Sequence, residues 1–363
     1  MLADLEELVV CESFSADLDA VARSADVVAA QGARHLGASP ERLVIDGVTH
    51  LRWTFGTPRV LLLGHHDTVW PIGSLATHPW SVADGIARGP GVFDMKAGLV
   101  QLFHALGSLP SLDGVCVLVT GDEEVGSDTS RALIEEVARQ CAATFVLEAS
   151  ADGGALKTAR KGTSAYELLV RGRAAHSGLE PDKGVNAAVE AAHLILALAG
   201  LAEEANTGAR DGWRTTVVPT VVKAGSATNT VPAEATVSVD VRVPSLTAQE
   251  WVDSAIRGMK STVPGARVEV RGGPNRPPLE EASSADLFAR AGLLAQRLGL
   301  GQLSSAAVGG ASDGNFTAGL GCPTLDGLGA VGGGAHADDE HVVVAELAPR
   351  ARLLAALVEE VTR

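Results

Sequence analysis

The sequence predicts an α/β fold in two parts: a parallel-sheet domain and, inserted within it, a smaller α+β domain. Three observations carry this. Apolar runs at 59–69 (RVLLLGHHDTV), 115–124 (VCVLVTGDEE) and 144–150 (TFVLEAS) are unbroken, as in strands buried on both faces of a parallel sheet, and helical stretches separate them. From Lys161 the pattern changes to apolar–polar alternation, the mark of half-exposed antiparallel strands. Past Pro277 and Pro278, amphipathic helix and Gly-rich loop resume.

In order along the chain, the first forty residues carry apolar positions at helical spacing, in SADLDAVARSADVVAAQGARHLGA, and end at Gly37. Residues 43–45 and 51–53 read as a strand pair about an Asp46-Gly47 turn. The strand at 59–69 stops at two histidines and an aspartate, and a Pro- and Gly-punctuated loop leads to GPGVFDMKAG (89–98). Helix 97–109, strand 115–120, helix 131–141 and strand 144–147 follow. The alternating part reads strand 164–176, helix 185–205, strands 216–223 and 234–243, helix 249–263 and strand 266–270, a β-α-β-β-α-β order with its helices on one face. Helix 284–298, two Gly-rich loops at 307–323 and 332–342, and helix 344–361 close the chain. The expected boundaries are 1–161 and 277–363 for the first domain and 162–276 for the insertion.

Composition limits the function. A net charge of −15 argues against nucleic-acid binding, which needs a basic face. No apolar segment reaches the length of a membrane span, and the acidic start MLADLEELVV lacks a secretory signal's basic residues. Cys11, Cys116, Cys141 and Cys322 are scattered without a CxxC pair and read as buried thiols of a reducing compartment, which makes the protein cytoplasmic.

Chemistry gathers where the buried strands end, the place where open α/β sheets keep their ligands. His65 and Asp67 end the first run, Asp122, Glu123 and Glu124 the second, and Glu148 the third. Adjacent acids at the end of a buried strand need a cation or a proton to coexist. Asp94, at the entrance of helix 97–109, is either a helix cap or a further ligand. His35, His50 and His104 have no ligand neighbours in the sequence and read as surface residues. No strand is followed by a GxGxxG turn, which excludes a nucleotide-binding oxidoreductase.

The segments GHHDTV, GPGVFDMKAG, TGDEEVGS, VLEAS, GRAAHSG and AHADDEH resemble, in content and order, those of the M20 metallopeptidases, most closely the glutamate carboxypeptidase (carboxypeptidase G2-like) branch. The resemblance implies a zinc-peptidase-like three-layer α/β/α catalytic domain with an inserted ferredoxin-like lid, through which two copies dimerise. It implies two Zn2+ per chain, Co2+ or Mn2+ being alternatives, with Asp94 bridging, His65 and Glu148 on one ion, and Glu124 and His336 on the other. Two imidazoles and three carboxylates form a donor set that zinc accepts. Glu123 matches the general base and Asp67 the residue that orients His65, while His66 falls at a variable position. The bond after Asp94 is a cis peptide in the family. His176 matches an oxyanion-stabilising lid histidine, often supplied across the dimer. Asn229, Arg242 and Arg276 match substrate-binding positions, where arginine suits a carboxylate because its planar fork meets both oxygens. Met95 departs from relatives that carry a second acid there.

The expected activity is hydrolysis of a peptide or N-acyl amino acid at an amide beside a free carboxylate. An M20 dipeptidase or aminopeptidase would need an acidic grip on a substrate ammonium, and the lid shows no acid as clear as Arg242. A metal-free binding protein on a dead hydrolase is opposed by the full ligand set with Glu123.

Overall fold

A computed structural model describes residues 1–207 and 213–363. The chain forms two compact units, Met1–Arg160 with Leu279–Arg363, and Lys161–Pro278.

The first unit opens with two helices where periodicity suggests one stretch: α1 (Leu2–Val10) and α2 (Leu18–Leu36). They part because Asp17 caps α2, its carboxylate accepting from the Ala20 N–H, and Gly37 ends α2 in the left-handed conformation at φ 70°. β1 (Glu41–Ile45) and β2 (Val48–Phe55) pair about Asp46-Gly47, both at positive φ as the tight hairpin turn requires. Then come β3 (Val60–His65), the short pair β4 (Ser81–Ala83) and β5 (Ile86–Arg88), α3 (Ala97–Gly107), β6 (Val115–Thr120), α4 (Arg131–Ala138), β7 (Ala143–Val146) and β8 (Leu156–Arg160).

The second unit contains β9 (Gly162–Arg171), α5 (Ala187–Ala205), β10 (Thr216–Ala224), β11 (Glu234–Val243), α6 (Leu246–Arg257) and β12 (Arg267–Arg276). Its four strands form one antiparallel sheet in the order β10-β11-β9-β12. Alternate residues Val237, Val239, Val241, Leu168 and Val170 share an apolar cluster with Leu194 and Leu198 of α5 and Val252 and Ile256 of α6. Both helices therefore cover one face of the sheet. α6 begins earlier than its apolar spacing suggests because the Ser245 hydroxyl accepts from the Ala248 N–H, and it stops at Gly258. β12 outruns its alternating stretch, continuing through Gly272 and Gly273 with a bulge before Arg276.

Back in the first unit lie α7 (Ala285–Arg297), β13 (Ser305–Val308), α8 (Gly314–Gly319), β14 (Thr324–Leu325), β15 (Gly332–Gly333), β16 (His341–Val343) and α9 (Val344–Thr362). The main sheet runs β1-β2-β6-β3-β7-β14, parallel from β6 onward. Val60 and Leu62 join the core with α2, α3 and α9, while Leu61 and Leu63 face Ile134 of α4 and Phe316 of α8. This two-sided burial, about 2 kcal/mol per leucine, is why β3 reads as an uninterrupted apolar run. Among the described residues no helix is long and apolar enough to cross a membrane. All four cysteines are free thiols; Cys116 and Cys322 are buried, Cys11 and Cys141 half-buried.

Candidate metal centre

Three adjacent parallel strands set the site. β3 pairs β6 on one side and β7 on the other, so His65 ends level with Thr120 while Glu123, Glu124 and Glu148 follow just past the ends of β6 and β7. Asp94 arrives from the turn before α3, across a cis peptide to Met95, and His336 from the loop between β15 and β16 at φ 63°.

His65 Nε2 lies 3.4 Å from Asp94 Oδ1 and 3.4 Å from Glu148 Oε1. His336 Nε2 lies 3.3 Å from Asp94 Oδ2 and 3.2 Å from Glu124 Oε2. The two oxygens of Asp94 thus face two different imidazoles, each with its own glutamate. Donors about 2.1 Å from a tetrahedral ion stand about 3.4 Å from one another, the spacing of both groups. His65 Nε2, Asp94 Oδ1 and Glu124 Oε1 are buried and make no hydrogen bond. Orphaned buried donors and acceptors at this spacing fit a pair of divalent cations. Glu123 falls within ligand reach of His65 and Glu148.

Electrostatics agree. Burial opposes the charge of His65, yet Asp67, Asp94 and Glu148 raise its pKa well above the ordinary histidine value. Asp94 and Glu124 lift His336 to about 10. Burial penalises the Asp94 carboxylate, but His336 and His65 hold it ionised below the usual range. Burial leaves Glu124 raised. Three carboxylates around two imidazoles demand positive charge, which protons supply when no cation does.

The surroundings hold these ligands. His65 Nδ1 lies 3.1 Å from the Asp67 carbonyl oxygen, which fixes the tautomer and leaves Nε2 for the cluster. The nearer partner is thus the Asp67 backbone; its carboxylate lies at 3.4 Å. That carboxylate also accepts the Glu123 and Glu124 N–H groups, both at 3.2 Å, and the Ser15 hydroxyl at 2.7 Å. His66 turns away to the Thr49 carbonyl at 3.0 Å, and burial lowers it to about 4.

Two residues escaped the sequence reading. Glu340 accepts the N–H groups of Gly91 (3.0 Å), Phe93 (2.8 Å) and Asp94 (3.0 Å) and the Trp70 indole (2.6 Å), pinning the loop that presents Asp94. Arg160 meets Asp326 bidentately at 2.7 and 3.0 Å and reaches Glu148 Oε2 at 3.3 Å. The short segment LKTAR, β8, which ends in an arginine, is the one local signal for the latter.

Three histidines differ from their surface reading. His50 is fully buried, 2.9 Å from Thr129 Oγ1, and its Nδ1 accepts from the Gly121 N–H. His35 and His104 both meet Asp4.

His176, Asn229, Arg242 and Arg276 lie in the second unit. His176 and Asn229 sit on neighbouring segments, with Ser177 N–H donating to the Asn229 carbonyl at 2.9 Å. His176 Nδ1 accepts from the Gly178 and Leu179 N–H groups (3.1 and 3.2 Å), which places the ring proton on exposed Nε2. The Arg242 fork is engaged bidentately by Asp240, both contacts 2.9 Å, on the same face of β11. Arg276 is buried at the end of β12 rather than in a loop, its carbonyl accepting from Gln249 Nε2 at 2.9 Å.

The family model of peptidase family M20/M25/M40 matches residues 61–360. The chain is 30% identical to carboxypeptidase G2 of Pseudomonas sp. (strain RS-16), over 98% of this chain and 88% of the relative. It is 28% identical to a succinyl-diaminopimelate desuccinylase of Caulobacter sp. (strain K31), over 89% and 87%. An M20 family metallo-carboxypeptidase from Sulfolobus solfataricus shares the fold, with a TM-score of 0.75 at 16% identity over 99% of both chains. With the family's match spanning the strands that carry His65, Glu124 and Glu148, the chain belongs to peptidase family M20/M25/M40 and is a metal-binding hydrolase of peptide or amide bonds.

Proposed function

We propose that the protein is a two-zinc hydrolase that cleaves an amide beside a free carboxylate, as a glutamate-type carboxypeptidase or an N-acyl amino acid deacylase. The observation that carries this is the division of Asp94's oxygens between His65 with Glu148 and His336 with Glu124. Two divalent ions would be held by Asp94 together with His65 and Glu148 on one side and His336 and Glu124 on the other, and would supply Lewis acidity toward the scissile carbonyl and the attacking water. Glu123 takes the proton of that water and delivers it to the leaving amine. Asp67 keeps Glu123 and Glu124 in place through their backbone N–H groups, and its carbonyl orients His65. His176, from this chain or a partner copy, donates its Nε2–H to the developing oxyanion.

Residues 162–276 serve as the lid and dimerisation domain. There Asn229 holds substrate, and Arg242 and Arg276 recognise its carboxylate. Asp240 occupies the Arg242 fork, so a substrate carboxylate exchanges with an internal one. The carboxypeptidase and desuccinylase relatives support the carboxylate-bearing class.

The test joins metal content to turnover on N-acyl glutamate, other N-acyl amino acids and free-amine dipeptides, before and after chelation. Two zinc ions per chain and chelator-sensitive release of an amino acid from an N-acyl substrate are expected. Cleavage of free-amine dipeptides alone moves the protein to the dipeptidase branch; no metal and no turnover overturns the reading. Glu123→Ala should abolish turnover with metal retained, and loss of metal with it would make Glu123 a ligand.

A further inference from the structure

We propose that Asp4, His35 and His104 form a separate site for a divalent transition ion of the zinc class, which fastens α1 to α2 and α3. The three residues come from those three helices. His35 Nε2 lies 3.1 Å and His104 Nε2 2.6 Å from the same oxygen, Asp4 Oδ2, and one ligand atom from each residue lies within 4.8 Å of the others. The imidazoles are tilted by 48° with centroids 4.2 Å apart, and both Nε2 atoms face Asp4 Oδ2. The other Asp4 oxygen accepts from Arg34 Nη2 at 3.2 Å, and Arg34 is held by Glu7 at 2.6 Å. That outer partner orients the carboxylate and turns Oδ2 toward the two imidazoles, with the Met1 ammonium 3.9 Å from the same oxygen.

In the metal-free form both Nε2–H groups face the Asp4 carboxylate, and an ion bound there would displace those protons. Burial holds His104 below the ordinary histidine value. Burial opposes ionisation of Asp4, but hydrogen bonds from His104, His35 and Arg34 bring it to about 2. Two imidazole nitrogens and one carboxylate oxygen suit zinc, nickel or copper over magnesium or calcium. The His35, His104 and Asp4 side chains are 22, 29 and 18% exposed, enough for an ion to enter and for water to fill a fourth position. Binding asks the contact between His104 and Asp4 to open by roughly 1 Å, toward the spacing of tetrahedral donors. None of the three residues belongs to the centre around Asp94.

The test compares tag-free wild type with His104→Gln and with the double variant His35→Gln/His104→Gln. Each is loaded with Zn2+, stripped of loose ion by gel filtration, and counted by elemental analysis. Wild type should retain one ion per chain more than the variants at equal turnover. Zn2+ added beyond the concentration that saturates turnover should raise the Tm of wild type alone. Equal ion counts with equal Tm responses overturn the site. If the variants do not fold, anomalous diffraction from zinc-loaded wild-type crystals decides: a peak bonded to Asp4 Oδ2 supports the site, and no peak there overturns it.

Discussion

Replacing Arg160 with methionine isolates what holds Glu148 from behind. The guanidinium is buried; it makes the two-pronged contact with Asp326, reaches Glu148, and donates to the Gly310 carbonyl at 3.1 Å. Burial works against its charge, but Asp326 and Glu148 keep it protonated. Methionine fills similar volume and removes the cation. Asp326, with no exposed surface, then retains as hydrogen-bond donors the Ser312 hydroxyl at 2.6 Å and its own neighbour's N–H, with the Lys157 charge acting on it from further away. Breaking one side of a buried pair costs about 3–5 kcal/mol, because the partner is left charged in a poor solvent. Urea unfolding of chelated protein measures this as a lower midpoint at unchanged slope. Adding Asp326→Asn removes the stranded charge, so the double variant should recover a large part of the loss. A single-variant cost below about 1 kcal/mol, or strictly additive effects in the double variant, would refute the reasoning.

Further outcomes follow from the same geometry. In chelated protein, His336 stands at about 10 against an ordinary 6.5, so its proton stabilises the fold fully below 6.5 and that contribution is lost as pH rises through 10. The Tm of chelated protein should therefore fall across that window more steeply than that of zinc-loaded protein. Zinc binding at pH 8 should release protons from His65 and His336, seen as calorimetric heats that vary with buffer ionisation enthalpy; heats independent of buffer would count against it. Gly98→Ala would set a Cβ 2.1 Å from the Leu147 carbonyl oxygen. Pushing the residue before Glu148 should cost about 1–3 kcal/mol and reduce metal retention, and a neutral, fully metallated variant would contradict that. Arg242→Ala should raise KM for carboxylate-bearing substrates while costing at most about 1 kcal/mol in stability, since its pair with Asp240 is partly exposed. An unchanged KM would remove the assigned role.

What was legible in the sequence follows from which contacts are local. His65, Glu124 and Glu148 stand out because strands buried on both faces are continuous apolar runs, and polar residues at their ends interrupt an obvious pattern. His336 lies in a Gly-rich loop without periodicity, and only the likeness of AHADDEH to a family segment singled it out. Glu340 left no trace as a support because its partners, the N–H groups of Gly91, Phe93 and Asp94, are some 250 positions away, so no spacing encodes the contact. His35 and His104 read as surface residues for the same reason: Asp4, which joins them, sits on a helix that periodicity merged with the next. β4 and β5, three residues each, are too short for alternation to show. The length of β12 was hidden by Gly272 and Gly273, which break the pattern without ending the strand.

The passage of the chain out of the first unit and back has a consequence for how such a protein can be assembled or rebuilt. Arg160 and Leu279 exchange both backbone hydrogen bonds, at 2.9 and 3.0 Å, so departure and return are neighbours in one short ladder. The excursion is self-closing, because its first and last strands pair with Thr163 opposite Arg276. Neither module bears the entropic cost of holding open the ends of the other. A peptide turn joining residues 160 and 279 directly should leave the host sheet able to fold, and the excised segment carries its own apolar core. Modules with this wiring can be exchanged between relatives by recombination at two points, so one host unit can be inherited with different inserts.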